Sequence, residues 1–149
     1  MKVVLQKVNK AQVTVDDEVV GKINKGYCLL VGVHKDSTEK DAEFLAKKIA
    51  NARLFEDEDG KINLSLKEVK GEILSISQFT LYANVKKGNR PSFTDAARPD
   101  DAKFLYEKFN EYLELENIKV EKGIFQSHMN VLIENDGPIT VIYDSLVTS

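Results

Sequence analysis

Apolar residues recur at every second position early in the chain and at every third or fourth position further on. Val3, Val4, Leu5 and Val8, then Val13 and Val15, give residues 2–8 and 11–15 the alternating, valine-rich pattern of strands. Asp16-Asp17 supplies turn residues, and residues 18–23 predict the returning strand of a hairpin. Asn24-Lys25-Gly26 makes the next turn, and residues 27–33 are almost continuously apolar, which predicts a buried strand. Over residues 38–54 the period changes. Ala42, Leu45, Ile49 and Ala52 fall on one helical face, Ser37 or Thr38 suits the N-cap, and Thr38 with Asp41 has capping-box spacing.

Residues 62–66 predict a short strand and residues 72–83 a long one. A second helix is predicted over residues 99–115: Pro99 suits a first turn, and Ala102, Leu105, Phe109 and Tyr112 give its buried stripe. Two closing strands, 124–134 and 139–146, flank a turn at Gly137-Pro138. The order strands, helix, strands, helix, strands predicts a single α+β domain over residues 1–149. Its sheet is expected to be largely antiparallel, strongly curved and barrel-like, with two helices.

Composition narrows the functional classes. A chain of 149 residues with 42% hydrophobic and 30% charged positions is that of one soluble globular domain. No apolar stretch approaches the roughly 20 residues of a membrane span, and the N-terminal segment, interrupted by Lys7, does not have the form of a signal peptide. The expected location is the cytoplasm. The lone cysteine, Cys28, rules out an intrachain disulfide, fits a reducing compartment and is expected to be an inert buried thiol. The net charge of −3 argues against a whole-surface nucleic-acid binder, but a protein gripping only an RNA end needs no more than a local basic patch.

The usual catalytic sets are missing. His34 reads as a surface turn residue and His128 lies within a predicted strand, so there is no clustered His and Cys for zinc. Gly21, Gly26 and Gly32 do not form a nucleotide-binding fingerprint. The acidic turn Glu56-Asp57-Glu58-Asp59-Gly60 lacks the liganding positions of an EF-hand. Two segments leave two readings open. If residues 72–83 form one strand, Ser77, Phe79 and Leu81 share one face and Gln78, Thr80 and Tyr82 the other. That is either a solvated strand end or a pocket wall whose hydroxyls, amide and backbone N–H groups meet a ligand. Gly137-Pro138 is either plain turn chemistry or, with a cis X-Pro bond, a rigid pair of carbonyls facing a ligand amine.

Ser77-Gln78-Phe79-Thr80 and Gly137-Pro138 resemble the two signature motifs of the D-aminoacyl-tRNA deacylases, which hydrolyse D-amino acids off wrongly charged tRNA. The likeness extends through Val4-Leu5-Gln6-Lys7-Val8, Ala52-Arg53-Leu54-Phe55, Asn63-Leu64-Ser65, Lys87-Gly88-Asn89-Arg90-Pro91-Ser92-Phe93 and Phe125-Gln126-Ser127-His128-Met129, essentially the whole chain. The resemblance implies a homodimer with active sites at its interface, where Gly137 and Pro138 act in trans and turn away L-aminoacyl groups by collision. It implies that Ser77, Gln78, Phe79 and Thr80 hold the scissile ester, with the Phe79 amide as oxyanion donor and the free 2′-hydroxyl of the terminal ribose assisting hydrolysis. Thr80 is the obvious side-chain nucleophile, but no neighbouring base in the sequence activates it. Phe125 and Met129 are the implied adenine pocket, and Lys86, Lys87 and Arg90 the candidate phosphate contacts at the tRNA acceptor end. No metal or organic cofactor is implied. This chain carries Lys7 where many members carry arginine, at a position associated with holding the Gly-Pro element.

Overall fold

A computed structural model describes residues 1–148. The first strand, β1 (Lys2–Val15), turns at Asp16 and Asp17, whose positive φ angles of 49° and 65° suit a two-residue hairpin turn, into β2 (Glu18–Ile23). There follow β3 (Gly26–Gly32), α1 (Glu39–Ala50), β4 (Arg53–Glu56), β5 (Ile62–Ser65) and β6 (Glu72–Ser77). A single 3₁₀ turn (Phe79–Tyr82) leads to α2 (Pro99–Leu115), β7 (Val120–Lys122), β8 (Asn130–Asp144) and a last short helix, α3 (Ser145–Thr148). The capping-box reading holds for α1: the Thr38 amide donates to Asp41 Oδ2 at 2.7 Å, beside the acidic first turn.

The main sheet runs β2-β1-β3-β6-β7, with β8 on the other edge of β1, and β4-β5 form a separate two-stranded ribbon. The α+β class and the barrel-like sheet agree with the sequence reading. The sheet is also largely antiparallel, as expected: β1 is antiparallel to β2, β3 and β8, and β3, β6 and β7 alone run mutually parallel. The cause is connectivity. Helix α1 lies between β3 and β6, and α2 between β6 and β7, and a helical crossover returns the chain in the same direction.

Two cores result. Val3 and Leu5 of β1, Tyr27, Leu29 and Val31 of β3, and Ile73 of β6 pack under Leu45 and Ile49 of α1 and Phe109 and Leu113 of α2. Val8, Ala11 and Val13 join Ile23, Cys28, Leu74 and Ile76 in the second core, which brings β2 against β6 and curls the sheet toward closure. Each fully buried side chain of this size contributes about 1.5–3 kcal/mol. Along β1 the inward face changes core where pairing with β8 twice breaks register, between Gln6 and Val8 and between Val8 and Lys10. The two strands expected at 2–8 and 11–15 are therefore one strand with an irregular middle.

Other boundaries also move. Helix α1 stops at Ala50, and Ala52 lies beyond it. The strand expected over 72–83 ends at Ser77, because its neighbour β3 ends at Gly32 and leaves nothing to pair with. The chain instead folds into the 3₁₀ turn over Gly32, where a Cβ would stand 3.0 Å from Leu81 Cβ. The closing strands are likewise one strand, β8, which begins only at Asn130 and leaves residues 124–129 as a loop. Cys28 is completely buried and desolvation pushes its thiol up to about 12, so it is inert at neutral pH.

Candidate active site

The carboxyl ends of the parallel strands β3, β6 and β7 open on one side of the sheet, and the segments that follow them build a cleft of about 570 Å³. Ser77 and the turn Gln78, Phe79 and Thr80 form one wall. The loop after β7 supplies the opposite wall, including Phe125, His128 and Met129. Phe93, Ala96 and Ala97 and the first turn of α2 complete it. Two segments separated by more than forty residues in sequence, 77–80 and 125–129, thus meet in one cleft.

The turn is fixed from below. The Gln78 amide donates to the Val31 carbonyl at 2.8 Å, which extends the β3 pairing by one bond. The Gln78 side-chain amide donates to Thr80 Oγ1 at 3.0 Å, and the Ala83 amide closes the turn on the Thr80 carbonyl at 3.1 Å. The first amides of a 3₁₀ turn have no partner within it, so Phe79 and Thr80 begin the turn with N–H groups at the cleft. Phe125 packs on Tyr106 at a ring separation of 6.2 Å, and Tyr106 is held by its hydroxyl donating to the Ser75 carbonyl at 2.7 Å. That hydroxyl ties α2 to β6 directly beneath the cleft.

Among the described residues, the lining carries no carboxylate, lysine, arginine or thiol, and its one titratable side chain is His128. His128 sits in the loop before β8 rather than in a strand. The other histidine, His34, is no bare surface residue: its ring stands edge-on to Tyr82 at 5.1 Å and its Nδ1 accepts the Asp36 amide at 3.0 Å. Among the described residues, no three His, Cys, Asp or Glu side chains converge as a metal-holding group.

Gly137 and Pro138 lie outside this cleft. Between the pairs Gln6↔Thr140 and Val8↔Asn135, β8 carries more residues than β1 can match, so residues 136–139 stand out as a bulge. Asn135 closes its neck, its Oδ1 accepting the Ile139 amide at 3.1 Å and its Nδ2 donating to Thr140 Oγ1 at 3.0 Å. The Gly137-Pro138 bond is cis, and Gly137 has a φ of 123° that L side chains rarely adopt. At the foot of the bulge, Asp136 meets Lys7 at 3.4 Å; the Lys7 side chain is nearly buried and its ammonium lies over the Phe55 ring. Lys86, Lys87 and Arg90 are exposed on the loop between Asn84 and Ser92, whose amides and carbonyls bond reciprocally at 2.7 and 2.9 Å.

The family model described as D-Tyr-tRNA(Tyr) deacylase matches residues 4–144. The chain belongs to that family. It is 58% identical over 145 residues to a D-aminoacyl-tRNA deacylase of Staphylococcus aureus, covering 97% of this chain and 96% of the relative. A D-aminoacyl-tRNA deacylase of Staphylococcus epidermidis is 57% identical over the same shares. Among solved structures, one described as a c-Myc DNA unwinding element binding protein superposes with a TM-score of 0.90 at 40% identity, over 97% of this chain and 98% of that one. A second, described as a probable eukaryotic D-amino acid tRNA deacylase, gives a TM-score of 0.82 at 20% identity over 95% and 97%, which shows the shared fold. This member of the deacylase family is an enzyme, a hydrolase.

Sequence reading missed Phe93 and His128 as cleft residues. Phe93 had a signal of its own, a single aromatic at the end of a polar, basic loop.

Proposed function

We propose that this deacylase hydrolyses the ester linking a D-amino acid to the terminal ribose of tRNA, releasing the free amino acid and tRNA. The observation that carries the reading is the cleft: Phe79 and Thr80, which open the 3₁₀ turn, line it together with Phe125 and Met129, and among the described residues its lining holds no carboxylate, lysine or arginine. Such a site binds a neutral ester and a flat base and offers amide donors to the oxyanion. Ser77, Gln78 and Thr80 position the ester, and Phe125 and Met129 take the adenine. The lone pair for attack comes from water, assisted by the vicinal 2′-hydroxyl of the ribose. No metal or organic cofactor takes part.

Chirality is read by a second copy of the chain. The bulge at Gly137 and Pro138 is exposed and lies outside its own cleft, and exposed Leu132 and Ile142 flank it on β8. In a homodimer that joins these strands, the bulge of one subunit enters the cleft of the other. Its carbonyls meet the α-amino group, and an L side chain collides with its backbone. Glycine has no side chain to collide, so Gly-tRNA, including glycine mischarged on tRNA(Ala), is also cleaved. Lys86, Lys87 and Arg90 contact phosphates of the acceptor end, and the enzyme acts in the cytoplasm, where its substrate is made.

The deciding experiment is hydrolysis of D-Tyr-tRNA against L-Tyr-tRNA with a chelator present. Rapid loss of the D form alone supports the whole reading. Loss of both forms would remove the chiral filter, and loss of neither, from a folded dimer, would leave a binder of RNA ends. Thr80→Ala is expected to keep activity within about tenfold of wild type, because removing a positioning hydroxyl costs on the order of 1 kcal/mol. Complete loss in single-turnover assays, with binding intact, would make Thr80 the nucleophile.

A further inference from the structure

Two phenylalanines at the mouth of the cleft lack a structural explanation. Phe79 is 58% exposed and Phe93 is 38% exposed, although both line the cleft. Their rings meet edge-to-face, with centroids 5.1 Å apart and planes inclined by 67°. Each ring therefore keeps part of its surface open to solvent beside an apolar cavity. Phe93 follows directly on Ser92, which pins the loop to Asn84 by two backbone hydrogen bonds. The ring is thereby held at the end of a closed loop rather than on a free tail. That loop carries Lys86, Lys87 and Arg90, and from Ala83 to Thr94 it contains no carboxylate. None of the three cations makes an ion pair among the described residues.

We infer that Phe79 and Phe93 form a stacking platform for the base of the penultimate nucleotide of the substrate RNA. This rests on the deacylase reading of the cleft. With the terminal nucleoside and its ester inside, the polynucleotide leaves through the mouth, and the first group it places there is the next base. An open aromatic face accepts any base, and flanking cations hold the phosphates on either side. The combination of exposed rings and unpaired positive charge fits a single-stranded nucleic acid better than a second protein surface, which would cover the rings but leave the cations unmatched. The platform extends recognition one nucleotide beyond the reacting ribose and does so without reading base identity.

The test is a double-mutant cycle on kcat/KM. Wild type and Phe93→Ala are each assayed on a D-tyrosyl acceptor minihelix and on the same minihelix abasic at the penultimate position. Each single change is expected to lower kcat/KM about tenfold, the size of one base–aromatic stack, and the two together no more than either alone. Phe93→Tyr should restore the wild-type response. Losses that multiply, or no loss from the abasic substrate, overturn the platform. So does a loss that appears with D-tyrosyl but not D-alanyl substrates, which assigns the rings to the amino-acid side chain. A Phe93→Ala protein that sediments as a smaller species assigns them to a subunit contact and likewise overturns it. Fluorescence anisotropy with the uncharged minihelices separates this inference from the catalytic reading. If wild type cleaves nothing yet binds the intact minihelix about tenfold more tightly than the abasic one, the platform stands and the deacylase reading fails.

Discussion

Replacing the terminal 2′-hydroxyl of a D-aminoacyl-tRNA by hydrogen is expected to abolish turnover, lowering the single-turnover rate by 10³-fold or more. The reason lies in what the cleft contains. Among the described residues, it is lined by the start of the Phe79–Tyr82 turn and one histidine, but by no carboxylate, lysine or thiol. The Thr80 hydroxyl already accepts a hydrogen bond from Gln78 and has no basic partner in the cleft wall beside it. Positioned proton transfer in a transition state is worth roughly 10²–10⁴-fold, and on this reading the ribose supplies it. Binding should be almost unchanged, since a single hydroxyl adds little to an interface of base, ester and phosphates. The check is single-turnover hydrolysis of substrates ending in 2′-deoxyadenosine, with affinity measured in parallel. Undiminished turnover would return the chemistry to a protein side chain, His128 first.

The second large effect is expected from Phe55, far from the reacting ester. Phe55 is 1% exposed, stacks on Tyr27 with ring centroids 5.2 Å apart, and carries the ammonium groups of Lys7 and Lys25 at 5.3 and 5.4 Å. Phe55→Ala removes a ring that joins the β4-β5 ribbon to the main core, and should cost about 3–5 kcal/mol. Urea denaturation reads this as a lower midpoint at constant slope. A cost under about 1 kcal/mol would show that the site collapses around the missing ring. The consequence for function is subtler. Lys7 reaches Asp136 at the foot of the Gly137-Pro138 bulge from a pocket floored by this ring. In the milder Phe55→Leu variant, discrimination between D- and L-aminoacyl-tRNA should weaken several-fold while the rate on the D substrate is retained. Equal selectivity in wild type and Phe55→Leu would detach Lys7 from the filter.

Local periodicity located both long helices and most strands of this fold, because Leu45, Ile49, Leu105 and Phe109 repeat at helical spacing and β1 to β3 are separated by clear turn residues. What it could not locate depends on distant segments. Ser77 to Tyr82 alternates well enough for a strand, yet the strand stops because β3 has run out at Gly32. Asn135-Asp136-Gly137-Pro138 reads locally as a turn, yet β8 resumes beyond it because β1 continues alongside. β4 and β7 have four and three residues, too few to show any period. The parallel pairing of β3, β6 and β7 was implicit in the helices between them. Of the candidate site, the segments 77–80 and 125–129 were legible only through motif resemblance, since nothing in either tells that the other lies across a cleft. Lys86, Lys87 and Arg90 were legible as a basic loop, but its closure between Asn84 and Ser92, next to Phe93 of the cleft lining, was not.

A cleft that works through peptide groups, as proposed above, has an unusual relation to mutation. Most substitutions exchange side chains and leave every main-chain N–H and C=O where it was. A site of this kind is buffered against drift in its own lining. It is vulnerable instead at the few positions that shape the backbone, Gly32 beneath the turn and Gly137 in the bulge, where any side chain at all must displace its neighbours. Loss of specificity in this family should therefore arise less by gradual retuning of the pocket than by single steps at glycine.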